Sequence, residues 1–224
     1  MKQARYDLVI FDLDGTLLDT SDGVLTAVRY TIDKMGLAPL SEEVLATFIG
    51  PPIQNSIAKA YGLEGEVVQE ISGIFRDYYS KPEALLRATP YEGIFRLLEA
   101  LAESGIKTAV ATYKREDYAI DLLRHFGFHR YMSIMHGGDH ENKLKKRDII
   151  ELCIKESGVT DVSRVVMVGD TDNDAIGAAA IGADFIGVTY GFGFRTASDV
   201  DAFGNVGTAS TVAEVADIVL RTAK

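Results

Sequence analysis

DLVIFDLDGTLLDT, residues 7–20, joins a short apolar run, Leu8–Phe11, directly to two aspartates, Asp12 and Asp14. A short continuous apolar run that ends in acids is typical of a buried strand in a parallel sheet. Gly15 allows the backbone to turn away at once, because glycine has no side chain to clash. The stretch therefore predicts a strand that presents two carboxylates, two residues apart, at one edge of a sheet.

Further apolar runs predict the neighbours of this strand. They are Ile106–Ala111, a weaker run at Tyr131–Met135, Val165–Val168 and Ala183–Val188. Helical patterns lie between the runs; the clearest are Glu92–Glu103, Asp117–Phe126, Lys146–Ser157 and a last helix from about Thr211. Strands that alternate with helices in this way indicate an α/β fold with a doubly wound, Rossmann-like parallel sheet.

One segment, from about residue 20 to residue 88, breaks this alternation. It holds four helical patterns and no convincing strand; the longest apolar stripe contains Val67, Ile71, Ile74, Phe75 and Tyr78. We therefore predict two domains. Residues 1–18 and 89–224 form the α/β catalytic core, and residues 19–88 form a helical cap that is inserted after the first strand.

Composition limits the possible partners. The chain has 224 residues and a formal net charge of −10, which argues against nucleic acid or an anionic membrane surface as the main partner. The single cysteine, Cys153, is incompatible with a disulfide framework inside the chain. No apolar run is long enough for a signal peptide or a membrane span, so we expect a cytoplasmic protein. The sequence leaves the oligomeric state open.

Polar residues follow several of the predicted strands, at the edge where open parallel sheets bind ligands. The acids and the hydroxyl at this edge are Asp12, Asp14, Thr112, Asp170 and Asp174. A basic cluster opens the helix after the weaker run at Tyr131–Met135; it contains Lys143, Lys145, Lys146 and Arg147. Carboxylates bind hard cations such as Mg²⁺, whereas lysine and hydroxyl groups bind phosphate oxygens. The pattern therefore predicts Mg²⁺-assisted chemistry on a phosphate.

Four segments that contain these residues occur in a recognisable order: DLDGTLLDT at 12–20, VATYK at 110–114, KKRDII at 145–150 and VGDTDNDAIGA at 168–178. Together they resemble the four motifs of the haloacid dehalogenase superfamily, and in particular its phosphoglycolate phosphatase-like branch. FIGPP at 48–52 is similar to a segment of that branch's helical cap. The resemblance covers nearly the whole chain.

The resemblance implies a role for each matching residue. Asp12 is expected to be the nucleophile and a metal ligand, and Asp14 the general acid and base, which binds Mg²⁺ through its backbone carbonyl. Asp170 is expected to complete the protein ligands of Mg²⁺, with Asp174 in a supporting position. Thr112 and a lysine are expected to hold the phosphoryl group.

The chain departs from the branch's pattern at two places. Its third motif lacks the common Lys-Pro pair, and the spacing to Ile149–Ile150 favours Lys146 as the phosphate-binding lysine, before Lys145 and then Lys143. Tyr113 stands where the branch usually has asparagine. We expect Tyr113 to lie in the phosphate pocket, where it would alter its shape or the leaving-group side.

The expected function is Mg²⁺-dependent hydrolysis of a small phosphomonoester, such as phosphoglycolate or a nucleotide or sugar phosphate, through an aspartyl-phosphate intermediate. The expected partner is therefore a small phosphorylated metabolite. Two alternatives share the fold: a sugar-phosphate mutase resembling β-phosphoglucomutase, and a pyrophosphatase. A receiver-like signalling module, which is also phosphorylated on aspartate, belongs to another class but is much shorter and has no cap.

Overall fold

The computed structural model describes residues 4–141 and 143–220. Its strands are β1 (Leu8–Phe11), β2 (Leu18–Asp19), β3 (Thr89–Pro90), β4 (Lys107–Arg115), β5 (Ile134–Gly138), β6 (Val165–Gly169), β7 (Asp184–Val188) and β8 (Gly207–Ala209). Its helices are α1 (Ser21–Lys34), α2 (Glu42–Ala46), α3 (Ile53–Tyr61), α4 (Glu66–Tyr79), α5 (Pro82–Leu85), α6 (Ile94–Glu103), α7 (Glu116–His125), α8 (Lys146–Ser157), α9 (Asp172–Ile181), α10 (Ala197–Asp201) and α11 (Val212–Val219). Short 3₁₀ turns lie at Phe128–Arg130 and Val162–Arg164.

Six strands form one parallel sheet in the order β5-β4-β1-β6-β7-β8, and β2 pairs with β3 separately. From β1 the chain first extends the sheet through β4 and β5, and then returns to place β6 on the other side of β1. This order confirms the predicted doubly wound parallel fold. The direction of winding reverses between β1 and β6, which is where such sheets bind ligands beyond the carboxyl ends of their strands.

The apolar character of β1 follows from its central place in the sheet. Leu8 pairs with Lys107 on one side and with Val165 on the other, and all four residues of the strand are buried. Helix α8 packs its apolar stripe, Ile149, Ile150 and Cys153, into a core cluster that contains Leu8 and Ile10. Burying apolar surface of this kind is the main stabilising contribution to the fold.

The chain divides into two compact units, residues 1–18 with 90–224, and residues 19–89. The second unit contains helices α1 to α5, and its buried apolar side chains include Val24, Val28, Leu45, Ile57, Ile71 and Phe75. In this unit the rings of Tyr30 and Tyr78 stack with their centroids 4.1 Å apart. The role of this helical unit as a cap stays a prediction.

Several short elements depart from the sequence-based expectation. Strand β8 and helices α5 and α10 have three to five residues each, too few for a periodic pattern. Strand β5 spans Ile134–Gly138 and so extends three residues beyond the run expected at Tyr131–Met135. Gly137 lies against the backbone of Lys114 and Glu116 so closely that a side chain would not fit, and tertiary contact therefore outweighs its low strand propensity.

Within the described residues, each helix is too short or too polar to span a lipid bilayer.

Candidate active site

The carboxyl end of β1 places both aspartates of the first motif in buried positions. The backbone N–H of Asp12 donates to the carbonyl of Val168 at 2.9 Å, so the pairing with β6 extends one residue past the strand. Asp12 and Asp14 are 6% and 5% exposed. Gly15 follows with φ at 80°, and a side chain there would overlap the carboxylate of Asp170. Glycine is thus required both by the turn and by the neighbouring acid.

Strand β6 and helix α9 supply two more buried carboxylates. Asp170 comes directly after β6, and Asp174 lies in the first turn of α9; both are fully buried. Asp174 Oδ2 accepts hydrogen bonds from the backbone N–H and the hydroxyl of Thr171, at 3.0 and 2.7 Å, in a capping box. The start of α9 therefore fixes the orientation of Asp174.

Helix α8 brings one lysine of the basic cluster into this group. Lys146 Nζ lies 2.6 Å from Asp12 Oδ1 and 2.7 Å from Asp174 Oδ1, and the lysine side chain is 4% exposed. Lys145 is exposed just before α8, and Lys143 is exposed and pairs with Glu141. Of the three lysines considered from the sequence, the structure thus brings Lys146 to the carboxylates.

Three of the carboxylates form a group that fits a divalent cation. Oxygens of Asp12, Asp170 and Asp174 all lie within 4.8 Å of one another, and all three residues are buried. Asp170 Oδ1 is buried and has no hydrogen-bond partner among the residues that the structure describes. An unsatisfied carboxylate oxygen among further carboxylates is the donor set that Mg²⁺ prefers.

Burial and mutual repulsion shift the ionisation of this group. Burial raises the pKa of Asp12 to about 7, the ammonium of Lys146 opposes that shift, and the carboxylates of Asp174 and Asp14 reinforce it. Burial, followed by the charges of Asp12 and Asp174, raises the pKa of Asp170 to about 8. Burial alone would lower the pKa of Lys146, but the facing carboxylates outweigh it and raise that pKa. The group therefore stores electrostatic repulsion that a cation would relieve.

A second lysine, which the sequence reasoning did not select, contacts Asp14. Lys114 Nζ lies 3.1 Å from Asp14 Oδ1, and the lysine side chain is 7% exposed. Its backbone N–H also donates to the hydroxyl of Thr112 at 3.2 Å, and Thr112 is itself buried. Lys114 is the last residue of the VATYK segment. Its position two residues after Thr112 is the sequence feature that could have pointed to a lysine at this site.

A glycine-rich loop, residues 190–194, surrounds Asp170. The backbone N–H groups of Phe192 and Gly193 donate to Asp170 Oδ2 at 2.7 and 3.0 Å. Gly191 lies so close to Asp170 and to the backbone of Gly15 that a side chain would overlap both. The sequence YGFGF after a strand was the signal for this loop, but the residues alone do not say which acid it would contact.

Tyr113 faces the start of α8. Its hydroxyl oxygen accepts a hydrogen bond from the backbone N–H of Lys146 at 3.0 Å, and Lys146 Nζ lies 5.6 Å from the centroid of the Tyr113 ring. Both of these contacts run to Lys146, and the side chain also packs against the core cluster. The expectation that Tyr113 lies in the phosphate pocket stays a prediction.

Known proteins are similar to this chain in sequence and in fold. Residues 9–188 match the family of haloacid dehalogenase-like hydrolases. The phosphoglycolate phosphatase of Agrobacterium fabrum is 35% identical over 191 residues, which cover 83% of this chain and 81% of that protein. The tyrosine-protein kinase PtkA of Mycobacterium tuberculosis is 36% identical over 210 residues, which cover 93% of this chain and 70% of that protein. A predicted phosphatase from Clostridium acetobutylicum is 30% identical and superposes with a TM-score of 0.86, over 95% of this chain and 97% of that one.

Proposed function

The chain belongs to the haloacid dehalogenase-like hydrolases and is a phosphatase of that family, and we propose that it hydrolyses a small phosphomonoester through an aspartyl phosphate on Asp12. One observation carries the proposal: Asp12 contacts a buried lysine and lies within 4.8 Å of the carboxylates of Asp170 and Asp174. These contacts fix the orientation of the Asp12 carboxylate in a charged site that contains little water. A carboxylate that attacks phosphorus needs such an environment.

The chain's own residues account for both displacements. A carboxylate oxygen of Asp12 attacks phosphorus, the ester P–O bond breaks, and Asp14, in its protonated form, gives its proton to the leaving alkoxide. Asp14 then takes a proton from a water molecule that attacks the phosphorus of the aspartyl phosphate, which frees inorganic phosphate and restores Asp12. Lys146 and the hydroxyl of Thr112 offset and orient the charge on the phosphoryl oxygens.

Asp12, Asp170 and the backbone carbonyl of Asp14 are the proposed protein ligands of Mg²⁺, and Asp174 supports them. When bound, Mg²⁺ supplies charge neutralisation for the phosphoryl oxygens. The count of charges supports this assignment. With all four of Asp12, Asp14, Asp170 and Asp174 counted as ionised, the ammonium groups of Lys146 and Lys114 leave two formal negative charges, which one divalent cation balances.

The proposed substrate class is a small phosphorylated metabolite such as phosphoglycolate or a nucleotide or sugar phosphate. The name of the Agrobacterium relative favours phosphoglycolate, and the net charge of −10 disfavours nucleic acid and membranes. The cytoplasmic location proposed with it rests on the sequence alone.

Phosphate release from a panel of esters tests the proposal. Wild-type protein is assayed in EDTA and after excess Mg²⁺ is added, beside Asp12→Asn. We expect activity only with Mg²⁺, and a loss of at least about a thousandfold in Asp12→Asn, because a carboxamide is a poor nucleophile. Circular dichroism checks that the variant is folded. Activity of the folded variant above a few per cent of wild type contradicts the nucleophile assignment.

The same panel separates the alternatives. A mutase converts a hexose 1-phosphate to the 6-phosphate without releasing free phosphate, and a pyrophosphatase acts on pyrophosphate but not on the esters. Incubation with a nucleoside triphosphate labelled in its transferable phosphate and a tyrosine-containing peptide tests for the kinase activity that the name of PtkA states. Transfer of the label to the peptide, rather than release of free phosphate, would favour phosphoryl transfer over hydrolysis.

A further inference from the structure

We propose that Tyr113 is a positioning residue, which holds the first turn of α8 so that Lys146 reaches Asp12. The inference rests on the proposed function, because it assumes that Lys146 serves the reaction at Asp12. It gives Tyr113 a different task from the one that the sequence suggests, since it assigns the hydroxyl to the protein backbone rather than to the phosphoryl group.

The hydrogen bond of Tyr113 fills a gap at the start of α8. Lys146 is the first residue of the helix, and the N–H groups of a first turn have no partner inside the helix. The N-cap residue, Lys145, has no side-chain acceptor, and an N-cap side chain would bond the second or third N–H of the helix rather than that of Lys146. The hydroxyl of Tyr113, from β4, accepts the hydrogen bond of the Lys146 N–H at 3.0 Å.

The ring of Tyr113 lies beside the other end of the same lysine. Lys146 Nζ is 5.6 Å from the ring centroid, within the range of a cation–π contact, and the same atom contacts both Asp12 and Asp174. A lysine has a long, flexible side chain, so two simultaneous ion pairs require a fixed backbone. Tyr113 contacts Lys146 at its backbone and near its ammonium, and it therefore restricts both.

The test combines Tyr113→Phe, which removes only the hydroxyl, with Lys146→Met in a double-mutant cycle. We expect Tyr113→Phe to lower kcat/KM by about threefold to tenfold in the wild-type background, as the loss of one hydrogen bond suggests. In the Lys146→Met background the same change is expected to have no effect, because no ammonium remains to be positioned. Hydrogen exchange of the Lys146 backbone amide, followed by NMR, is expected to become faster in Tyr113→Phe.

The matched control is Tyr131→Phe, which also removes a hydrogen-bonded hydroxyl, one that donates to Glu99 at 2.8 Å on the surface. It is expected to leave kcat/KM and the exchange of Lys146 unchanged. An equal loss from Tyr113→Phe in both backgrounds overturns the proposal, because the hydroxyl then acts independently of Lys146. Wild-type kcat/KM in Tyr113→Phe overturns it as well. If the wild-type protein is inactive on every ester, the proposed function fails as well. An active wild type with no effect of Tyr113→Phe overturns the role of Tyr113 alone, so the two failures are distinguishable.

Discussion

At the scale of single residues, Asp14 forms an ion pair with the buried Lys114. Replacing Lys114 by methionine leaves Asp14 buried without the ammonium at 3.1 Å and gives the site one more net negative charge. We expect kcat/KM to fall by about tenfold or more and the melting temperature to fall, because breaking a buried pair leaves an uncompensated charge. Steady-state phosphate release and thermal denaturation measure the two effects.

The control for Lys114→Met is Lys143→Met, which removes an exposed ion pair with Glu141 and is expected to change neither quantity. Lys114→Arg keeps the charge and should recover part of the activity. If Lys114→Met is as active and as stable as Lys143→Met, the contact between Lys114 and Asp14 contributes neither to activity nor to stability.

Cys153 gives a second prediction at this scale. Its side chain is fully buried in the core cluster, and burial raises the pKa of the thiol to about 12. At pH 8 only about one thiol in ten thousand is ionised, and the thiolate is the reactive form. We expect iodoacetamide to modify Cys153 in denaturant but not in the native protein, as mass spectrometry would show. Labelling of the native protein at the rate of a free thiol contradicts its placement.

At the scale of elements, the loop at residues 190–194 acts on Asp170 through its backbone. A methyl group at Gly191 would overlap the Asp170 carboxylate and the carbonyl of Gly15. We therefore expect Gly191→Ala to displace both residues, and to weaken Mg²⁺ binding by at least about tenfold. Titration calorimetry with Mg²⁺ measures this directly, without substrate.

Gly204→Ala is the matched control for Gly191→Ala, since a side chain at Gly204 meets no other atom within 4 Å. It is expected to bind Mg²⁺ like the wild type and to change stability by no more than about 0.5 kcal/mol. Equal Mg²⁺ affinity in the two variants would show that the loop does not position Asp170.

Elements also show how far the sequence could predict this structure. The strands β1, β4, β6 and β7 are visible as apolar runs because both faces of the sheet are covered. Lys146 could be chosen because its spacing to Ile149 and Ile150 sets its place on α8. The contacts of Lys114 with Asp14 and of the 190–194 loop with Asp170 join segments far apart in the chain. No local pattern encodes such contacts, so they became visible only in the fold.

At the scale of the whole molecule, the buried charges link metal binding to stability. With all four carboxylates ionised the site carries two formal negative charges, and a cation that binds only the folded state stabilises that state. At about a hundred times its Kd, Mg²⁺ is expected to raise the melting temperature by about 5–10 °C. Thermal denaturation of EDTA-treated protein during a Mg²⁺ titration measures the shift.

The variant Asp170→Asn tests whether the buried carboxylates cause the stabilisation by Mg²⁺. Above pH 8, where Asp170 is ionised, the variant has one fewer buried charge. We therefore expect its melting temperature without Mg²⁺ to equal or exceed that of the wild type there, and its response to Mg²⁺ to be small. Sodium chloride at the same ionic strength controls for screening. A full Mg²⁺ response in Asp170→Asn would place the cation elsewhere.

The central position of β1 also sets the order in which the site can be assembled during synthesis. Leu8 leaves the ribosome well before its partners Lys107 and Val165, which lie much later in the chain. Helices α1 to α5, whose contacts are local in sequence, are complete before either partner exists. Until then Leu8–Phe11 has no sheet to join, and its apolar side chains need protection from aggregation. The strand that leads into Asp12 is thus made before its partner strands and buried late.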